Sequence, residues 1–198
     1  MGGVQALMNR IQLHLAMFDL DGTLFDTERA SYLAYKEACG AAFPLTEDFF
    51  RAHCMSRSYR YFLPLLGVPD GQLKEIHDRK IRVYPNFFDA VHPNETLFAL
   101  AQMLRQNGIP LAVVTTASRR NTLELLQYFD AVSLFDLLVT QECVERQKPA
   151  PDAYLYAMHQ FDAIPEQCII FEDSPTGLEA AKASGAVVYQ VVGGSYAV

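Results

Sequence analysis

Hydrophobic and polar positions divide the chain into three parts. Leu15 to Leu20 is a short apolar run stopped by Asp21-Gly22, the pattern of a buried strand ended by a turn. From Thr27 to about Val83 the spacing is helical. Tyr32, Tyr35 and Cys39 fall three to four apart, as do Leu73, Ile76 and Lys80 beside a charged face. Gly40, Pro44, Gly67, Pro69 and Gly71 break this stretch into several short helices. The third part returns to strand and helix in alternation. Strands are predicted at Leu111–Thr115, Leu137–Thr140, Cys168–Glu172 and Val187–Val192. Helices are predicted from Asn94 through Leu104, around Leu123 to Phe129, over Ala153–Phe161 and over Pro175–Ser184. Asn94 and Ser174 read as N-caps, while Gly108 and Gly185 sit where helices end. Strands separated by helices of this length predict an α/β fold with a doubly wound parallel sheet. The helical block follows the first strand, so it reads as an insertion. A core over 15–26 and 93–198 would carry an all-helical cap over 27–92.

Composition narrows the function. The 198 residues are 51% hydrophobic and 20% charged, enough apolar material for a sizeable core. Net charge is −7 and no long basic run occurs, which argues against a nucleic-acid partner. No apolar stretch approaches the roughly 18 residues of a membrane span. Cys39, Cys54, Cys143 and Cys168 show neither metal-knuckle nor redox spacing, and reduced thiols in a cytoplasmic protein are the expectation.

In an open parallel sheet, ligands bind beyond the carboxyl ends of the strands. The first strand ends in Asp19-Leu20-Asp21-Gly22-Thr23, whose two acids would share one side of an extended chain. The second ends in Thr115-Thr116-Ala117-Ser118, just before a helix start that suits an anion. Lys148 follows the third strand, and Glu172-Asp173 ends the fourth. Crowded carboxylates repel unless a cation neutralises them, and hard oxygen donors suit Mg²⁺. A nucleophilic carboxylate, a second carboxyl group, a metal site and a phosphate cradle together describe phosphoryl transfer through an aspartyl phosphate.

Phe18-Asp19-Leu20-Asp21-Gly22-Thr23-Leu24, Thr116, Lys148-Pro149-Ala150-Pro151-Asp152 and Phe171-Glu172-Asp173-Ser174 resemble the four motifs of the haloacid-dehalogenase-like hydrolase superfamily, in its order. The inserted helical block resembles the small cap of its phosphoglycolate-phosphatase-like and beta-phosphoglucomutase-like members. The resemblance implies a Rossmann-like core and a Mg²⁺-dependent phosphatase acting on a small phosphorylated metabolite, of the sugar phosphate or phosphoglycolate class.

Asp19 would attack phosphorus, and Asp21 would act as acid and then base. Thr116, with Ala117, Ser118 and Lys148, would hold the phosphoryl group. Asp19, Asp21 (through its backbone carbonyl), Glu172 and Asp173 would form the metal site, with Glu172 either touching the metal or standing behind its ligands. The family pattern favours Thr116 over Thr115. The alternative activity is a sugar phosphomutase, which in similar proteins places a histidine where this chain has Ser31.

From Arg51 to Arg82, seven basic residues face three acids, a local excess that suits anionic substrates. Within it, Met55-Ser56-Arg57-Ser58 lies between two predicted cap helices, and Arg57 is the candidate substrate contact.

Overall fold

The structure, a computed structural model, describes residues 13–54 and 57–192. In chain order the elements are β1 (Leu15–Phe18), β2 (Phe25–Asp26), α1 (Glu28–Cys39), α2 (Glu47–His53), α3 (Tyr59–Leu65), α4 (Leu73–Val83) and β3 (His92–Pro93). There follow α5 (Glu95–Gln106), β4 (Leu111–Val114), α6 (Arg119–Tyr128), β5 (Leu137–Val139), α7 (Asp152–Gln160), β6 (Cys168–Glu172), α8 (Pro175–Ala183) and β7 (Val187–Gln190). Two compact units result: the chain up to Phe25 joined with Pro93 onward, and the segment Asp26–His92. The crossings between them, β2 and β3, pair with one another as a two-stranded sheet.

The first unit holds a parallel five-stranded sheet, among the described residues, in the order β5-β4-β1-β6-β7. Wholly buried strands read as continuous apolar runs, as Leu15–Phe18 and Leu111–Val114 do. Leu15 and Met17 join Val114, Val139, Tyr154, Met158 and Ile170 in one core layer. Phe18 stacks on Phe171 with ring centroids 4.7 Å apart. The chain builds outward from β1 to β4 and β5, then returns to lay β6 and β7 on the other side. Strand order therefore reverses beside β1, and its carboxyl end is where an open α/β sheet is expected to bind a ligand.

Helix starts follow local chemistry. The side chains of Asn94, Ser118 and Ser174 each accept a hydrogen bond from a backbone N–H in the first turn of the helix they precede. Gly108 and Gly185 both take positive φ after their helices. Most helix ends shift by one or two residues, and most strands end earlier than expected, β4 at Val114 and β5 at Val139, one residue short each. The first strand stops at Phe18 rather than Leu20, because the chain folds back on itself: Phe25 N–H donates to Leu20 O, and Gly22 N–H donates to Phe25 O. The last strand stops at Gln190 rather than Val192.

The second unit is helical, with a core of Tyr32, Tyr35, Phe50, Phe62, Leu63 and Ile76. Thr46 caps α2 and Ser58 caps α3 through their hydroxyls. Inside the unit, Tyr35 OH lies 2.9 Å from His77 Nδ1, and Tyr59 stacks on the same imidazole at 4.0 Å. Burial pulls the His77 pKa down to about 4, with neighbouring Lys80 acting in the same direction.

Candidate active site

β1 delivers Asp19 one residue past its end, buried, with its N–H bonded to Phe171 O. Asp21 lies in the following turn, exposed to solvent. The two acids therefore do not continue one extended strand; the turn separates a buried carboxylate from an exposed one. Gly22 makes the turn possible, with φ +88°, and its missing side chain leaves room for the Asp173 carboxylate. Thr23 Oγ1 donates to Asp173 Oδ1 at 2.9 Å. Asn94, while capping α5, also donates its side-chain N–H to Thr23 O, fixing the turn from below.

Lys148 reaches into the middle of the cluster. Its three N–H bonds go to Asp19 Oδ1 (2.6 Å), Glu172 Oε2 (2.7 Å) and Val114 O (3.0 Å). Burial alone would release its proton, but the carboxylates of Asp19 and Glu172 hold the ammonium well above the ordinary lysine value. Glu172 is fully buried. Its Oε1 accepts from the backbone N–H of Asp173 and of Ser174 and from the Ser174 hydroxyl, while Oε2 accepts from Lys148 and from Tyr154 OH. Burial favours its protonated form, yet Lys148 and these donors keep its pKa below the usual carboxylate range. The Asp19 carboxyl is pushed well upward by burial, with Glu172 and Asp173 adding to the effect and Lys148 opposing it. Burial, together with Glu172 and Asp21, raises Asp173 to about 6 against the Thr23 hydrogen bond.

Of three crowded acids, Lys148 thus pairs with two, Asp19 and Glu172. Asp19, Glu172 and Asp173 each offer an oxygen, all within 4.8 Å of one another. The donors are hard oxygens and the cluster is short of positive charge, so a divalent cation such as Mg²⁺ fits it. Glu172 has both oxygens engaged by five protein donors, whereas Asp19 and Asp173 each keep one oxygen outside the bonds described.

Of the predicted phosphate cradle, Thr115 is buried and its hydroxyl accepts from Ala117 N–H at 3.0 Å, which tightens the turn after β4. Thr116 is exposed, and Ser118 caps α6. Thr115 is therefore committed to the fold, leaving Thr116 on the surface at the carboxyl edge of the sheet. Arg57 is exposed in the helical unit, its guanidinium 4.7 Å above the Tyr61 ring. Met55 and Ser56 of the same loop lie outside the described residues. Of the basic residues in that stretch, Arg51 and Lys74 are paired with acids at the surface. Sequence reasoning missed Tyr154. It read as one residue of a helix, and no spacing in the sequence points to its contacts with Glu172 and Lys148.

No helix among the described residues is long and apolar enough to cross a membrane. The haloacid dehalogenase-like hydrolase family model matches residues 16–191. A phosphorylated carbohydrates phosphatase of Thermotoga maritima is 32% identical over 181 residues, covering 87% of this chain and 82% of the relative. The fructose-1-phosphate phosphatase of Escherichia coli is 27% identical over 174 residues, covering 85% and 91%. Among solved structures, CbbY from Rhodobacter sphaeroides in complex with phosphate superposes with a TM-score of 0.75 at 26% identity, covering 89% of this chain and 84% of that one. The chain belongs to the haloacid dehalogenase-like hydrolase family, as a phosphoric monoester hydrolase.

Proposed function

We propose that the protein hydrolyses a small phosphorylated carbohydrate or a related metabolite through a phosphorylated Asp19. The observation that carries this reading is the Asp19–Lys148–Glu172 cluster, with Asp173 beside it at the carboxyl end of β1. An Asp19 carboxylate oxygen attacks phosphorus, and the bond from phosphorus to the ester oxygen breaks. Asp21, in the solvent-facing turn, gives its proton to the departing alcohol. A water then attacks the same phosphorus, Asp21 takes the water's proton, and Asp19 is released with inorganic phosphate. Lys148 holds Asp19 in place and offsets charge as the phosphoryl group arrives, while Thr116, Ala117 and Ser118 offer donors to its oxygens. Asp19, Asp173 and the Asp21 backbone carbonyl would hold Mg²⁺, with Glu172 behind them. The ion supplies neutralisation between the carboxylates and the incoming phosphate.

The names of the relatives support the substrate class: one acts on phosphorylated carbohydrates and another on fructose 1-phosphate. Arg57 is the residue of the helical unit assigned to substrate recognition. The test is a screen of phosphorylated metabolites for released phosphate, with and without Mg²⁺. Phosphorus NMR of glucose 1-phosphate with a bisphosphate primer separates hydrolysis from transfer. Steady release of inorganic phosphate is expected, because Ser31 has no titratable ring to assist transfer to a sugar hydroxyl. Interconversion of sugar phosphates without free phosphate would overturn the reading in favour of a mutase.

A further inference from the structure

Tyr154 is a buried titratable group to which the reaction above gives no part. It sits in the first turn of α7 with its side chain fully buried. Its OH donates to Glu172 Oε2 at 2.7 Å, and its ring lies under Lys148 with Nζ 5.0 Å from the centroid. Glu172 Oε2 therefore accepts from two donors, Tyr154 and Lys148, and Lys148 divides its charge between Glu172 and Asp19. Every N–H of the ammonium has one acceptor, so its position is set by the balance among them.

We propose that Tyr154 is a positioning residue: by satisfying Glu172 from below, it leaves the Lys148 ammonium committed to the nucleophile Asp19. This rests on the reading of Asp19 as nucleophile. Without the phenol OH, a fully buried carboxylate oxygen keeps Lys148 as its single donor, and the two draw closer. The ammonium moves off Asp19 by a fraction of an ångström, and its neutralisation of charge during attack weakens. Burial, with Glu172 and Asp19 nearby, holds the phenol pKa well above its ordinary value, so Tyr154 stays a donor at any working pH. The group binds no substrate in this scheme, and its loss touches the rate rather than substrate affinity.

The test is Tyr154→Phe, which keeps the ring under Lys148 and removes only the donor. With p-nitrophenyl phosphate as probe and saturating Mg²⁺, kcat should fall about tenfold, the loss expected for one hydrogen bond to a charged group. KM should stay within about twofold. Glu172→Gln and the double variant complete a cycle: acting through Glu172, Tyr154→Phe should cost little more once Glu172 is already changed. An unchanged kcat in Tyr154→Phe overturns the proposal. So does a lower melting temperature with kcat intact, which marks a purely structural tyrosine, or a full additional loss in the double variant. Should Glu172→Gln fail to fold, the kcat-against-KM split of Tyr154→Phe decides alone. Asp19→Asn measured alongside separates the two readings. If it is inactive while Tyr154→Phe is normal, only the positioning role falls. If Asp19→Asn retains turnover, the nucleophile and the positioning role fall together.

Discussion

A methyl group on Gly177, in the first turn of α8, would lie inside the carboxyl group of Glu172. Helix and cluster are therefore built around one missing atom. In an ordinary helix interior, Gly→Ala stabilises by up to about 1 kcal/mol. Here the sign reverses. Gly177→Ala must push a fully buried, five-bonded carboxylate off its donors, and overpacking of this kind costs roughly 1–3 kcal/mol. Both the urea midpoint and phosphatase turnover should fall. A stabilised, active Gly177→Ala protein would show that Glu172 has slack the packing does not indicate.

Asp19→Asn removes the attacking charge at nearly constant shape. Turnover should drop about a thousandfold or more. The fold should hold, since one of three mutually repelling acids has been neutralised, and the melting temperature should stay level or rise. Calorimetry beside a phosphate-release assay checks both halves.

Removing divalent metal with a chelator should abolish activity, and Mg²⁺ should restore it. Ca²⁺ should not, because it takes more ligands at longer distances and loosens the in-line arrangement. Full turnover in excess chelator would count decisively against a cation at Asp19 and Asp173.

The helical unit should lose stability in mild acid. His77 titrates near 4 when folded, against about 6.5 in an unfolded chain. Between those values the unfolded state holds a proton that the folded state lacks. The contribution is therefore fully present above about 6.5 and is lost progressively as pH falls toward 4. Protonation also turns Nδ1 into a donor facing the Tyr35 hydroxyl. Urea midpoints measured from pH 7 to pH 4 should fall more steeply for the wild type than for His77→Gln. Equal slopes would remove His77 from that role.

Much of the fold was legible because its signals are local. The apolar run Leu15–Leu20, ended by Asp21-Gly22, and the run Leu111–Thr115 marked β1 and β4, and Asn94, Ser118 and Ser174 cap helices as their chemistry demands. The acids and lysine of the site were legible because each follows a strand. Their mutual arrangement was not. That Glu172 would be sealed under five donors depends on contacts far apart in sequence, such as Tyr154 with Glu172. The family pattern favoured Thr116 over Thr115, but no periodicity announces the hydrogen bond that Ala117 N–H gives to the Thr115 hydroxyl. The two-residue strands β2 and β3 were also invisible, being too short to alternate.

Those two short strands bear on how the protein folds. β1 pairs with β4 in a register that sets Ala16 against Leu111, so the central sheet must join segments about 95 residues apart. The helical unit fills most of that interval, has its own apolar core, and leaves and re-enters the sheet unit through strands that pair. Once it has formed, the chain left to be closed is about a third as long. On the logarithmic dependence of loop closure, that lowers the entropic barrier to the sheet by on the order of 1 kcal/mol. The insertion then acts as an internal clasp, and loop closure costs least when the helices form first and the central strands second.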